Sequence, residues 1–130
     1  FCEDLQRIIQ KVTWLRMKGY RISMDDFGTG YNSLYILGRI PTNVVKFDRA
    51  FVVNSLQNCQ GIEIMRSLVE MFRRINLDVI CEGVETREEE KIVQECGCNM
   101  IQGYLYDKPI SVREFERKYI QRVRKKCSCV

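Results

Sequence analysis

Apolar positions along the chain recur in two rhythms, one of helical spacing and one of short runs. Between residues 3 and 18, Leu5, Ile8, Ile9, Val12 and Leu15 recur at helical spacing, and Gly19 ends the run. A strand is expected over about 20–26, containing "RISMDD". Leu34 and Leu37, three apart with Pro41 beyond them, predict a short helix. Residues 43–48, "NVVKFD", read as a buried strand, and Ile62, Met65, Leu68, Val69, Phe72 and Ile75 mark a long helix. Residues 77–83, "LDVICEG", form the third expected strand. Thr86 with Glu89 is a T-x-x-E capping box that opens a helix stopped by Gly97. Residues 99–106, "NMIQGYLY", are the fourth strand, and Ser111 with Glu114 is a second capping box that opens a final helix.

The predicted order is α-β-α-β-α-β-α-β-α. Strands that alternate with helices imply an α/β protein with parallel strands and right-handed crossovers. Apolar strand runs suit a sheet covered on both faces. Four strands at this spacing fit half of a (β/α)8 barrel, and on pattern alone a small open four-stranded sheet fits equally. No linker, low-complexity segment or fine repeat interrupts the chain.

Every predicted strand carries a polar residue near its C-terminal end. Asp25 and Asp26 end the first, Lys46 and Asp48 share a face of the second, Glu82 ends the third, and Gln102 lies in the fourth. In a parallel barrel such residues gather at one rim, where active sites form. Each also has a plain structural reading. The aspartates could cap the next helix, Lys46 could snorkel to solvent, Glu82 could sit on a surface loop, and Gln102 could bond to backbone. A lysine among Val44, Val45 and Phe47 is costly unless a carboxylate pairs with it.

Composition narrows the chemistry. A length of 130 residues and 45% hydrophobic content suit one domain with a core. Net charge is +4, from 21 Lys+Arg against 17 Asp+Glu, and the excess lies largely at the ends, so no nucleic acid polymer is expected as partner. No run approaches the roughly 18 apolar residues of a membrane span. Without a secretory signal, a cytoplasmic chain is expected, although a longer parent could be tethered to a membrane. Histidine is absent, which excludes Ser-His-Asp and Cys-His catalysis and His-ligated zinc within these residues. Seven cysteines, an odd number, fit reduced thiols. Cys96/Cys98 and Cys127/Cys129 form two C-x-C pairs that could hold zinc, at a spacing unlike the usual C-x2-C. The final "CSCV" stands where a prenylation box would, but Ser128 and Cys129 are not aliphatic. "DFG" at Asp26–Gly28 lacks the histidine-containing loop of protein kinases, and "GTGY" lacks the lysine of a P-loop.

What remains is metal-assisted chemistry. Adjacent carboxylates can ligate divalent ions, hard Mg2+ or Mn2+ prefers oxygen ligands, and such ions suit phosphodiester cleavage. Gly28 and Gly30 would let the following loop approach its neighbours closely.

"DDFGTGYNSL", "VVKFDRAFV", "CEGVET" and "QGYLYDKP" resemble, in order and spacing, the second half of the EAL domain. That family hydrolyses cyclic di-GMP to linear pGpG, and the likeness runs from the first helix to Pro109. The resemblance implies the second half of a TIM-type barrel. It implies that Asp25 and Asp26 are paired metal ligands, that Lys46 stands beside the catalytic water, and that Glu82 is the general base. Glu85 resembles the acid that anchors the loop after the aspartates, and Gln102 the glutamine near the water. The loop from Phe27 through Gly28, Thr29 and Gly30 to Tyr31 resembles the segment coupling metal and substrate to dimer contact. Asp48 is a further candidate.

The family's Glu-Ala-Leu motif is not among these residues, nor are the first-half asparagine, glutamate and arginine that complete the metal and phosphate sites. A full barrel takes about 250 residues. The expectation is therefore a partial EAL domain over 1–130, with an incomplete Mg2+ or Mn2+ site and little activity alone. Its outer strands would need the missing N-terminal half, a second copy or another chain as cover. Two other functions stay open: a non-catalytic receptor for cyclic di-GMP or a protein, and a zinc-stapled interaction module.

Overall fold

The two rhythms become helices and parallel strands. A computed structural model describes residues 2–29 and 34–120. The chain runs through α1 (Cys2–Met17), β1 (Ser23–Phe27), α2 (Leu34–Leu37), β2 (Val44–Phe47), α3 (Arg49–Ser55), α4 (Cys59–Arg74), β3 (Asp78–Glu82), α5 (Arg87–Glu95), β4 (Met100–Gln102) and α6 (Val112–Phe115). A π-helical turn, Glu116–Ile120, continues α6. The four strands form one parallel sheet in the order β1-β2-β3-β4. The sheet is open, with β1 and β4 as its edges among the described residues.

The core fills one face of this sheet. Phe27 of β1, Phe47 of β2 and Phe72 of α4 meet with ring centroids 5.2–5.9 Å apart. Met65, Val69 and Phe72 recur at helical spacing along α4, and all three are buried. Val45, Val79 and Cys81 meet them from the strands, and Val93 from α5. Both predicted capping boxes form, at Thr86/Glu89 and Ser111/Glu114. By contrast, α1 buries none of its described side chains, and Trp14 is 57% exposed.

Two expected boundaries move and one helix is added, each for a local reason. The first strand begins at Ser23 rather than 20, because Gly19 turns with φ 89° and the Tyr20 amide still donates to Leu15 O of α1. The fourth strand stops at Gln102 rather than running to 106. Gly103 presses on the Val84 backbone so closely that a Cβ would stand 1.9 Å from Val84 O, and the Tyr106 amide then turns back to Gly103 O. Helix α3 was not expected; it begins directly after Asp48, whose Oδ1 accepts the Ala50 amide at 2.7 Å.

No helix among the described residues is long and apolar enough to cross a membrane. Cys81, Cys96 and Cys98 are buried free thiols, and Cys59 is exposed. Cys127 and Cys129, the other half of the zinc alternative, lie outside the described residues.

Candidate metal centre

Two neighbouring residues of a regular strand point to opposite faces. Asp25 and Asp26 escape that rule through a bulge. Met24 pairs with Val45 and Phe27 with Phe47, so three steps on β1 match two on β2. Asp26 takes up the extra residue with φ 53°, a left-handed conformation open to aspartate. Met24 and Phe27 therefore both enter the core, while both aspartates are exposed. Phe27, expected in the loop, closes the strand with its ring buried for the same reason.

The neighbouring strands complete the cluster. Carboxylate oxygens of Asp25, Asp26 and Glu82 lie within 4.8 Å of one another. Lys46, between them on β2, places Nζ 3.0 Å from Asp25 Oδ1 and also pairs with Glu82. The lysine and glutamate side chains are mostly covered, at 20% and 16% exposure. The hydrogen bond to Glu82 raises the Lys46 pKa above its ordinary value; desolvation opposes this, and Asp25 adds to it. Four residues from three strands thus converge. Three clustered carboxylates repel unless a cation joins them, and here the lysine is that cation. All three donors are hard oxygens, a set that suits Mg2+ or Mn2+.

The remaining predicted residues surround this cluster. Gly28, with φ 104°, lies so near α3 that a Cβ would meet the Phe51 side chain at 2.6 Å. Thr29 donates through Oγ1 to Asp26 O at 2.9 Å, tying the loop to the bulge. Gly30 and Tyr31 lie outside the described residues. Gln102 on β4 is the register partner of Glu82 on β3. Asp48 is absent from the carboxylate cluster, and its carboxylate caps α3. Glu85, expected to anchor the loop after the aspartates, pairs with Arg49 of α3 at 2.7 Å.

Arg49 is a site-facing residue that the sequence did not reveal. Its aliphatic stem crosses Gly83, where a Cβ would fall 2.2 Å from Arg49 Cγ. Gly83 also has φ 73°, so a side chain there is barred twice over. The only trace in the sequence is the coincidence of "DR" after one strand and "EG" at the end of the next. Arg49, Glu82, Glu85 and Gln102 line a cleft of about 990 Å³ that continues along Tyr104 and Tyr106. The carboxylate cluster and the cleft meet at Glu82.

Residues 1–109 match a family model described as EAL domain. The chain is 35% identical over 119 residues to the cyclic di-GMP phosphodiesterase NbdA of Pseudomonas aeruginosa, covering 89% of this chain and 15% of that protein. Against the crystal structure of the EAL domain of Mycobacterium smegmatis DcpA it superposes with TM-score 0.83 at 31% identity, over 91% of this chain and 53% of that one. Against the manganese and cyclic di-GMP complex of Klebsiella pneumoniae BlrP1 the TM-score is 0.71 at 32% identity, over 77% and 26%. The chain spans about one seventh of the length of the first of these relatives.

Proposed function

Because the chain belongs to the EAL domain family, we propose that it carries part of the active site of a metal-dependent phosphodiesterase that hydrolyses cyclic di-GMP to linear pGpG. The observation that carries this is the convergence of Asp25, Asp26 and Glu82 around Lys46 at one end of a parallel sheet. A bulge that turns two adjacent aspartates outward has no use in the core, whereas it suits ligation of a divalent ion.

Asp25 and Asp26 would hold Mg2+ or Mn2+, with Glu82 beside them. When bound, such an ion polarises a phosphodiester and makes a nearby water more acidic. Lys46 keeps Asp25 and Glu82 in place and lends positive charge where the attacked phosphate gathers negative charge. Glu82 is the general base, taking the proton from the attacking water, and Gln102 helps to orient that water. The cleft beside Glu82, with Tyr104 and Tyr106 on its wall, offers room for the dinucleotide.

Three carboxylates cannot by themselves supply two near-octahedral ions. The chain alone is accordingly expected to turn over little or no cyclic di-GMP. Joined to the first half of an EAL domain, it should hydrolyse the dinucleotide in Mg2+ or Mn2+, and Glu82→Gln should lower kcat by about 10²–10⁴-fold. A joined, folded protein without hydrolysis sinks this function. If it binds cyclic di-GMP without turnover, it is a receptor.

A further inference from the structure

Helix α3 meets the ends of both strands that flank its own. It follows β2, the strand of Lys46, after the single residue Asp48. Phe47 is the register partner of Cys81, so Arg49 stands level with Gly83, the residue after Glu82. The Arg49 stem lies across Gly83, and the Phe51 side chain lies across Gly28, just beyond Asp25 and Asp26. The first turn of α3 is thereby seated on the two glycines that follow the site carboxylates. Gly83 opens the turn that leads into α5. There the Val84 amide donates to Gln102 O at 3.4 Å, and the Glu85 and Thr86 amides donate to the Glu89 carboxylate at 2.8 and 3.1 Å. Glu85 also receives the Arg49 guanidinium at 2.7 Å. Arg49 thus grips this turn at two points, its stem on Gly83 and its charge on Glu85.

We propose that Arg49 is a positioning residue, which holds the Glu82 carboxylate in the cluster with Asp25 and Asp26 by gripping the turn from Gly83 to Glu85. The proposal rests on the reading of Glu82 as general base. Lys46 holds the tip of the glutamate, and Arg49 holds the backbone that follows it. The pair with Glu85 is exposed, at 60% and 40%, where an ion pair adds little to stability. Its effect is geometric. A base must stand within hydrogen-bond reach of the water it deprotonates, and a displacement of about 1 Å can cost about 10²-fold in rate. Arginine suits both contacts, since its aliphatic stem packs on the glycine while its planar fork fixes the carboxylate. Arg49 also lines the cleft, so direct contact with a substrate phosphate is the competing role.

The test has two arms. In the first, amide hydrogen exchange is followed in the chain itself. Arg49→Ala should speed exchange at Val84, Glu85 and Thr86 and leave the amides of α4 at the parent's rate. In the second, hydrolysis of cyclic di-GMP is measured in the chain joined to the first half of an EAL domain. Arg49→Ala should lower kcat by about 10–100-fold with KM little changed, and Arg49→Lys, which keeps stem and charge, should recover most of that loss. Arg49→Met and Glu85→Gln each break the ion pair, so the double variant should be no slower than the slower single one. The proposal is overturned if exchange in the turn is unchanged or α4 loosens equally. It is also overturned if Arg49→Ala raises KM and spares kcat, as a phosphate contact would, or if the two ion-pair losses multiply. A joined parent without hydrolysis sinks the reading of Glu82 as base, and exchange alone then decides whether Arg49 holds the turn.

Discussion

Lys46 is where the apolar strand and the charged rim meet, and its charge was legible as a problem before its partners were known. A lysine between Val45 and Phe47 demanded a carboxylate, and the fold supplies two, Asp25 and Glu82. Their contact raises its pKa, so its contribution to stability is fully present below the ordinary value of 10.5 and is lost as pH rises through the higher folded value. Lys46→Met is expected to destabilise the chain by about 1–3 kcal/mol at pH 7 in urea unfolding. The gap to the parent should shrink in melts at increasingly alkaline pH. A gap that stays constant there would assign the loss to packing. Gly28 makes a second prediction at this scale. Its positive φ and the Phe51 side chain both oppose a methyl group, so Gly28→Ala should lower the urea midpoint by the equivalent of about 1–3 kcal/mol. The sequence showed that a glycine was wanted there. It did not show that the ring of an unforeseen helix was the neighbour.

At the scale of elements, capping was the most readable signal, and the one overlooked cap hid a whole helix. Thr86/Glu89 and Ser111/Glu114 announced α5 and α6 through their spacing, because each side chain meets an amide three positions away. Asp48 caps α3 without a capping box, through the Ala50 amide two positions on, and it stood at the end of "VVKFD", where a site carboxylate was the competing reading. Exchange separates the two roles. Asp48→Ala should destabilise by about 1 kcal/mol, and Asp48→Asn should recover most of that loss, since either acid or amide caps well. If asparagine proves as harmful as alanine in chemical denaturation, capping is not what Asp48 contributes. The overlong fourth strand had the opposite cause. "NMIQGYLY" has strand composition, but Gly103 brings two backbones together and ends the pairing. Beyond it, the Tyr106 hydroxyl donates to Glu90 and holds the returning segment against α5, while Arg87 pairs with Glu90 within that helix. Glu90 is lowered in pKa, first by Tyr106 and then by Arg87, so this clasp is present above the ordinary value of 4.5 and weakens as pH falls.

For the whole molecule, parallel topology was legible because strands and helices alternated in the sequence, whereas the order β1-β2-β3-β4 comes from the structure. Closure was not legible. Four strands are consistent with an open sheet or with half of a barrel, and pattern cannot choose between them. The fold leaves β1 and β4 as edges, and the apolar stripe of α1 lacks full cover. The chain alone is therefore expected to elute in gel filtration as an associated species rather than as a compact monomer of 15.4 kDa. Covalent joining to the first half of an EAL domain should remove that association. A monodisperse, cooperatively unfolding 15.4 kDa monomer would show that these edges need no partner.

The bulge in β1 carries one more consequence. Strike out Asp26 and the three steps against β2 become two, so Met24 and the residue now numbered Phe27 would still turn inward and Asp25 would still turn outward. The sheet does not require the second aspartate; it is a surplus residue, accommodated by a left-handed kink. Its deletion should leave a more regular strand and a poorer ion site, with unchanged or improved resistance to urea and weakened Mn2+ binding. A single codon would thus divide what this strand does for the fold from what it does for the chemistry.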